Sequence, residues 1–124
     1  MYQLLQGASA NVLAVYLFGT VARGTDRAAS DVDLGVLLRD APAATLEGRM
    51  LAYEAALECE LGRPVQLVIL NDAPVDLVHR VLTDGRLLLD RDRAARLRFE
   101  VRSRNEYFDL LPVLMEYRRA RRTA

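Results

Sequence analysis

The sequence predicts one domain of the α/β or α+β class, with helices packed on a small mixed sheet. Three stretches, over residues 12–18, 32–38 and 65–70, are short and predominantly apolar, as buried strands are. Stretches with apolar residues at helical spacing alternate with them, which suits two packed layers of secondary structure. With 124 residues, 52% of them hydrophobic and 27% charged, the chain is long enough to bury a real core.

The elements predicted in the first third of the chain are short, and glycines separate them. They are a helix over 2–6, a strand over 12–18, a helix over 20–23 and a strand over 32–38. Gly7, Gly19 and Gly24 mark three of the breaks between them.

Longer helices are predicted in the rest of the chain. Asp40 and Pro42 suit the start of one that reaches Gly62, with apolar residues at helical spacing: Leu46, Met50, Tyr53, Leu57 and Leu61. After the strand over 65–70, a helix over 74–82 and a short strand over 86–89 follow. The last predicted element is an amphipathic helix over 94–111, with Leu97, Val101, Phe108 and Leu111 on one side. Pro112 is expected to kink or end it.

Composition excludes several classes of protein and residue role. No apolar run reaches the roughly 18 residues of a membrane span, and residues 1–10 lack the features of a signal peptide. The one cysteine, Cys59, is expected to be buried and cannot form an internal disulfide. Together with the two preceding observations, the lack of an internal disulfide leads us to expect a cytoplasmic protein. The net charge of zero does not favour direct nucleic-acid binding. All 17 basic residues are arginine, so any cationic phosphate ligand must be an arginine.

The segment over 17–38, LFGTVARGTDRAASDVDLGVLL, carries the candidate chemistry. Gly19 ends a predicted strand, and its missing Cβ lets another group approach the backbone closely. Thr20 adds a hydroxyl donor at the start of a helix, where free N–H groups favour phosphate. Asp31 and Asp33 flank one residue on the next strand and therefore share a face. Two such carboxylates repel each other unless a cation lies between them, and their oxygens suit Mg²⁺.

Either half of this pattern alone is usually only a turn or a solvated strand end, but together they resemble a known signature. Gly19-Thr20, ten residues and then Asp31-x-Asp33 resemble the DNA polymerase beta nucleotidyltransferase superfamily, above all its minimal nucleotidyltransferase (MNT) branch. The usual signature has Gly-Ser, and Thr20 keeps the hydroxyl. The runs 22–24 and 30–34 are also typical of the branch. A weaker likeness extends over 65–89 and 107–110.

The resemblance implies a fold like the polymerase beta palm, over a single domain of residues 1–117 with a basic tail over 118–124. It implies that Gly19 and Thr20 hold the triphosphate of ATP. Arg23 and Ser30 would be further nucleotide-binding positions. Asp31 and Asp33 would be catalytic and would bind Mg²⁺.

One departure concerns the third carboxylate that such sites carry on a later strand. Gln66 stands at the expected catalytic position, and an amide can bind metal but cannot take a proton. Losing a general base typically removes about 10²–10⁴ in rate, so nucleotide binding could survive while turnover became weak. Asp72 or Asp76 could substitute, although capping a helix is the simpler role for them.

The resemblance implies transfer of AMP from Mg·ATP to a tyrosine of a HEPN-type toxin, so that the chain acts as an antitoxin. The alternative is a degenerate site on a binding module that neutralises its partner by contact. A third alternative is a small-molecule acceptor, as in aminoglycoside-modifying relatives. A homo-oligomer or a hetero-oligomer is compatible with each. The tail arginines, Arg118, Arg119, Arg121 and Arg122, are either solvated or meet an acidic partner or RNA.

Overall fold

Four strands form one mixed sheet in the order β3-β2-β1-β4. They are β1 (Val12–Phe18), β2 (Val32–Leu38), β3 (Val65–Ile69) and β4 (Arg86–Asp90). β1 pairs antiparallel with β2 and with β4, whereas β2 and β3 are parallel. All four predicted strands are confirmed, with ends within one residue of those expected. The computed structural model describes residues 11–19, 31–40 and 44–123, so the helices predicted over 2–6 and 20–23 lie outside it.

The described residues form three helices, which cover both faces of the sheet. They are α1 (Ala44–Leu61), α2 (Val75–Asp84) and α3 (Arg93–Thr123). One apolar cluster joins alternate strand residues to Leu57 of α1. A second cluster joins the other strand residues to Val78 of α2 and Phe99 of α3. Because both faces are covered, all seven residues of β1 are buried, which explains its uninterrupted apolar sequence. No helix in the described ranges is long and apolar enough to cross a membrane.

The free edge of the sheet at β3 is closed by two glutamates of α1. The Oε1 of Glu58 accepts the backbone N–H of Val65 at 2.9 Å. The Oε2 of Glu54 accepts the N–H of Leu67 at 3.2 Å. These are outward-facing groups of an edge strand, which would otherwise be free to pair with another chain. α1 thus both buries a face of β3 and blocks its edge.

A polar network fixes the start of α3. Asp92 lies at its N-cap and accepts the N–H of Ala95 at 3.1 Å. Arg96 donates to Asp90 of β4 and to Glu100, each at 2.9 Å. Tyr16 of β1 donates its hydroxyl to the same Glu100 oxygen at 2.8 Å. Burial, with the hydrogen bond to Glu100 second, raises the pKa of Tyr16, so this hydroxyl remains a donor at physiological pH.

The predicted end of α3 at residue 111 is wrong. The helix continues through Pro112 to Thr123, so residues 118–122 form its last turns. The side with Leu97, Val101 and Phe108 is largely exposed, and the buried residues are Phe99 and Ser103. The helix carries apolar residues on more than one side, and helical spacing alone cannot say which side meets the body.

Candidate functional site

The ends of β1, β2 and β3 bring sequence-distant residues into one row. Phe18 pairs with Asp33 across β1 and β2, and Asp33 pairs with Gln66 across β2 and β3. Paired residues of neighbouring strands point to the same face of the sheet, and the strands lie about 4.8 Å apart. Both flanking neighbours of Asp33 belong to the apolar cluster on the α1 side. Asp33 and Gln66 therefore face the side of α2 and α3.

Gly19 lies directly against the Asp33 side chain. It follows β1 with a φ of +80°, a conformation that glycine adopts freely and other residues rarely do. A Cβ placed there would overlap the Oδ2 of Asp33 and would lie 3.3 Å from its Cγ. The close approach that the sequence suggested at Gly19 is therefore an approach to a carboxylate.

The partly buried carboxylate of Asp33, next to Asp31, favours the binding of a cation. Burial, and secondly the negative charge of Asp31, raise the pKa of Asp33 above its ordinary value. Asp31 is itself exposed, one residue before β2. Ionising Asp33 is therefore costly in the protein alone, and a bound cation would remove part of that cost. Oxygen donors of this kind, completed by phosphate oxygens and water, fit Mg²⁺.

A third charged ligand is lacking in the part of the chain that the structure describes. Within it, no three His, Cys, Asp or Glu side chains converge on a point where they could hold a metal ion. The residue beside Asp33 on the next strand is Gln66, which is exposed and neutral. The donor set thus fits a cation, but with two carboxylates rather than three.

Asp72 and Asp76 do not join this row. Gln66 is the second residue of β3, whereas Asp72 lies beyond the last and Asp76 lies in the first turn of α2. The three residue steps from Gln66 to Ile69 already span about 10 Å of strand. The suggestion that either aspartate replaces the missing carboxylate is therefore wrong.

Thr20, Arg23 and Ser30, the remaining candidate residues, lie outside the residues that the structure describes. His79 lies between α2 and α3, where its ring stacks on Tyr107 with centroids 3.6 Å apart, so it packs the two helices together. Cys59 is exposed rather than buried, contrary to expectation.

The comparisons with known proteins agree with this architecture. The model of the family described as "Polymerase beta, Nucleotidyltransferase" matches residues 3–94. No curated protein matches the chain in sequence. One solved structure, assigned as a minimal nucleotidyltransferase, is 30% identical, with a TM-score of 0.54. That match covers 68% of this chain and 84% of the other.

Two chains from toxin–antitoxin complexes share the fold more completely. One, from a complex determined with AMP-PNP, has a TM-score of 0.73, 24% identity and 93% coverage of both chains. The other comes from a tri-AMPylated HEPN toxin of Shewanella oneidensis in complex with an MNT antitoxin. It has a TM-score of 0.66 and 21% identity, with coverage of 93% of this chain and 90% of that one. At these identities the likeness shows the fold alone.

Proposed function

This chain belongs to the polymerase beta nucleotidyltransferase family, and we propose that it transfers AMP from ATP to a hydroxyl of a protein partner. The observation that carries the proposal is the row formed by Gly19, Asp33 and Gln66. It places a backbone without a side chain, a carboxylate and a polar amide at one end of the sheet. We assign the phosphates of ATP to the side of Gly19 and Thr20, with Arg23 and Ser30 as further contacts.

Asp31 and Asp33 would hold Mg²⁺. When bound, the ion supplies positive charge that offsets the negative charge of the phosphates during transfer. The backbone of Asp33 is held on both sides, because β2 pairs with β1 on one side and with β3 on the other. Gly19 leaves the space that the Asp33 carboxylate occupies. The pairing fixes the backbone that carries the carboxylate before any ligand binds.

The transfer forms a bond between the acceptor oxygen and the α-phosphorus and breaks the bond from that phosphorus to the β-phosphate oxygen. Pyrophosphate leaves, and the acceptor hydroxyl loses its proton to solvent water. Gln66 lies where a general base would help, but an amide does not take up that proton. We therefore propose slow transfer rather than rapid turnover.

A HEPN-type toxin is the acceptor that we propose, through a tyrosine hydroxyl, with the chain acting as its antitoxin. The support is the shared fold of the toxin–antitoxin complexes, one with AMP-PNP and one with a tri-AMPylated toxin. The neutral Gln66 favours a second candidate function, in which the chain binds nucleotide and neutralises its partner by contact. A variant without ATP binding that still neutralised the toxin would decide for this second function.

The first test concerns nucleotide binding. We expect the natural protein to bind ATP only with Mg²⁺, and the double variant Asp31→Asn/Asp33→Asn to lose that binding without unfolding. Titration calorimetry and a melting curve on both proteins measure this. Unchanged ATP affinity in the double variant would show that these carboxylates are not the metal site.

The second test concerns Gln66. We expect Gln66→Asp to speed AMP transfer by at least about tenfold, a modest part of what a general base supplies. Gln66 is exposed, so the new carboxylate should not cost the fold heavily. Gln66→Asn is the matched control, because it has the shape of aspartate without the charge, and it should give no gain. Labelled-ATP transfer to the toxin is the assay. If Gln66→Asp transferred no faster than Gln66→Asn, Gln66 would not occupy the general-base position.

A further inference from the structure

Although the whole chain has no net charge, α3 and the rest of the chain carry opposite net charges. α3 contains nine arginines and four acidic residues, a net charge of +5. The rest of the chain therefore has eight arginines and 13 acidic residues, a net charge of −5. In the described part of the chain, Arg96, Arg102 and Arg119 of α3 form ion pairs, and the most buried of these is Arg96. Most of the positive charge of this helix is thus presented outward.

An apolar stripe runs along the outer side of the same helix. Leu97, Val101, Phe108 and Met115 are 40%, 52%, 58% and 53% exposed. Their spacings of four, seven and seven residues place them within an arc of about 40° on an α-helix. The buried residues Phe99 and Ser103 lie on the opposite side, which packs on the body. We call the four exposed residues the outer stripe.

Among the residues that the structure describes, few lie against the second half of α3. The partners of the helix change along its length and belong in turn to β4, β1 and α2: Arg96–Asp90, Glu100–Tyr16 and Tyr107–His79. From Met115 to Arg122 every side chain is exposed, and Val113 and Tyr117 on other sides of the helix are each 62% exposed. An isolated helical segment gains most of its stability from packing. This end of α3 is therefore accessible to a partner outside the domain.

The charge decides among possible occupants. Packing α3 against the α3 of a second copy would bring one set of nine arginines against another, which is repulsive. Arg104, Arg119 and Arg122 flank the outer stripe on the helical wheel. Nucleic acid would suit the charge but not a row of large apolar side chains, because protein–nucleic acid interfaces are polar. A protein surface with an apolar centre and an acidic border matches both features.

We infer that the outer stripe of α3 is the docking surface for an acidic protein partner, whose apolar groove or helix covers Val101, Phe108 and Met115. This rests on the proposed function in one respect, that the chain acts on a protein. The partner's carboxylates would pair with the flanking arginines. The outer stripe shares no residue with the row that contains Asp33, so separate substitutions can test docking and nucleotide binding.

The experiment measures the affinity of the full chain for the HEPN-type toxin by calorimetry, at low and at high salt. The stripe variant is Val101→Ser/Met115→Ser, which leaves Phe108 and its contact with Tyr107 intact. The charge variant is Arg104→Glu/Arg122→Glu. Leu51→Ser is the matched apolar control, since Leu51 is 66% exposed on α1, and Arg80→Glu, an exposed position on α2, is the charge control. Melting curves and Mg·ATP binding are recorded for every protein.

We expect both α3 variants to bind the toxin at least about tenfold more weakly, with unchanged melting and Mg·ATP binding. The charge variant should also lose most of its salt dependence, and the two controls should bind like the natural protein. A stripe variant that bound as tightly as the controls would overturn the inference. So would a natural chain that did not bind the toxin at all.

Two further outcomes would assign the surface to another occupant. A dimer of the natural chain in light scattering that became a monomer in the stripe variant would show that a second copy covers α3. Binding of a 20-nucleotide single-stranded RNA that the charge variant lost and the stripe variant kept would show a nucleic-acid surface. If the natural protein never transferred AMP but the stripe variant lost toxin binding, the docking surface would be upheld and the proposed function refuted. Normal AMP transfer by the natural protein, together with unchanged toxin binding by the stripe variant, would uphold the proposed function and refute the docking surface.

Discussion

Replacing Gly19 by alanine tests the contact on which the candidate site depends. Gly19 has a φ of +80°, and the new Cβ would overlap the Oδ2 of Asp33. The substitution therefore has two costs, strain in the backbone and displacement of the carboxylate. Gly62 separates them, because it has a similar φ of +67° at the end of α1 but no atom within 4 Å of an added Cβ. Gly62→Ala is thus the control for backbone strain alone.

The two costs can be given magnitudes. An L-residue in the left-handed region costs about 1–2 kcal/mol, which is the whole expected effect of Gly62→Ala. Moving Asp33 off its preferred rotamer adds about 0.5–1.5 kcal/mol, so Gly19→Ala should lose about 1.5–3.5 kcal/mol. For a domain of this size each kcal/mol lowers Tm by about 4 °C. Gly19→Ala should therefore melt about 6–14 °C below the natural protein, and Gly62→Ala about 4–8 °C below it.

The assay combines melting curves with titration of Mg·ATP. Gly62→Ala should bind Mg·ATP like the natural protein, whereas Gly19→Ala should bind at least about tenfold more weakly, a difference of about 1.4 kcal/mol. The binding is measured well below both melting temperatures, so that loss of folded protein does not contribute. If Gly19→Ala were no less stable than Gly62→Ala and bound Mg·ATP normally, Gly19 would not lie against a functional carboxylate.

The remaining predictions concern two aspartates whose pKa values shift in opposite directions. Burial, and then Asp31, raise the pKa of Asp33, so its ionisation costs stability as the pH rises above the unfolded value of 3.8. Without Mg²⁺, Asp33→Asn should melt above the natural protein at pH 7, with an advantage that shrinks towards pH 3.8; a lower Tm at pH 7 would contradict this. Asp92 has its pKa lowered chiefly by the N–H of Ala95, so its contribution to stability is present above 3.8 and lost as the pH falls through its folded pKa. Asp92→Ala should lower Tm at pH 7, Asp92→Asn should recover part of the loss because asparagine also caps helices, and equal melting of all three proteins would show that this cap does not hold α3.

The strands show how much of the fold local sequence can predict. β1 and β2 begin and end where their apolar runs begin and end, and Gly19 stops β1 as expected. This works because the sheet is covered on both faces, so that each strand is apolar along most of its length. The end of α3 was not predictable in the same way. A proline usually ends a helix, yet Pro112 is accommodated within α3.

The candidate site divides in a similar way. The sequence by itself indicated that Gly19 and two closely spaced carboxylates come together, because Gly19 ends one predicted strand and the carboxylates begin the next. It also showed a polar residue, Gln66, early in a later strand. Only the parallel pairing of β2 with β3 decided that Gln66 lies beside Asp33 and that Asp72 and Asp76 lie beyond the other end of β3. Register between strands is a long-range property, so no local pattern contains it.

The same limit applies to α3. Its sequence determined a long, arginine-rich helix with apolar residues on more than one side. Tertiary structure decided which side is buried, because Phe99 packs into the cluster on the sheet and Tyr107 stacks on His79 of α2. Those contacts leave the outer stripe in solvent. Helical periodicity records that a side is apolar, and only the position of the neighbouring elements determines whether that side faces the core of this domain or another molecule.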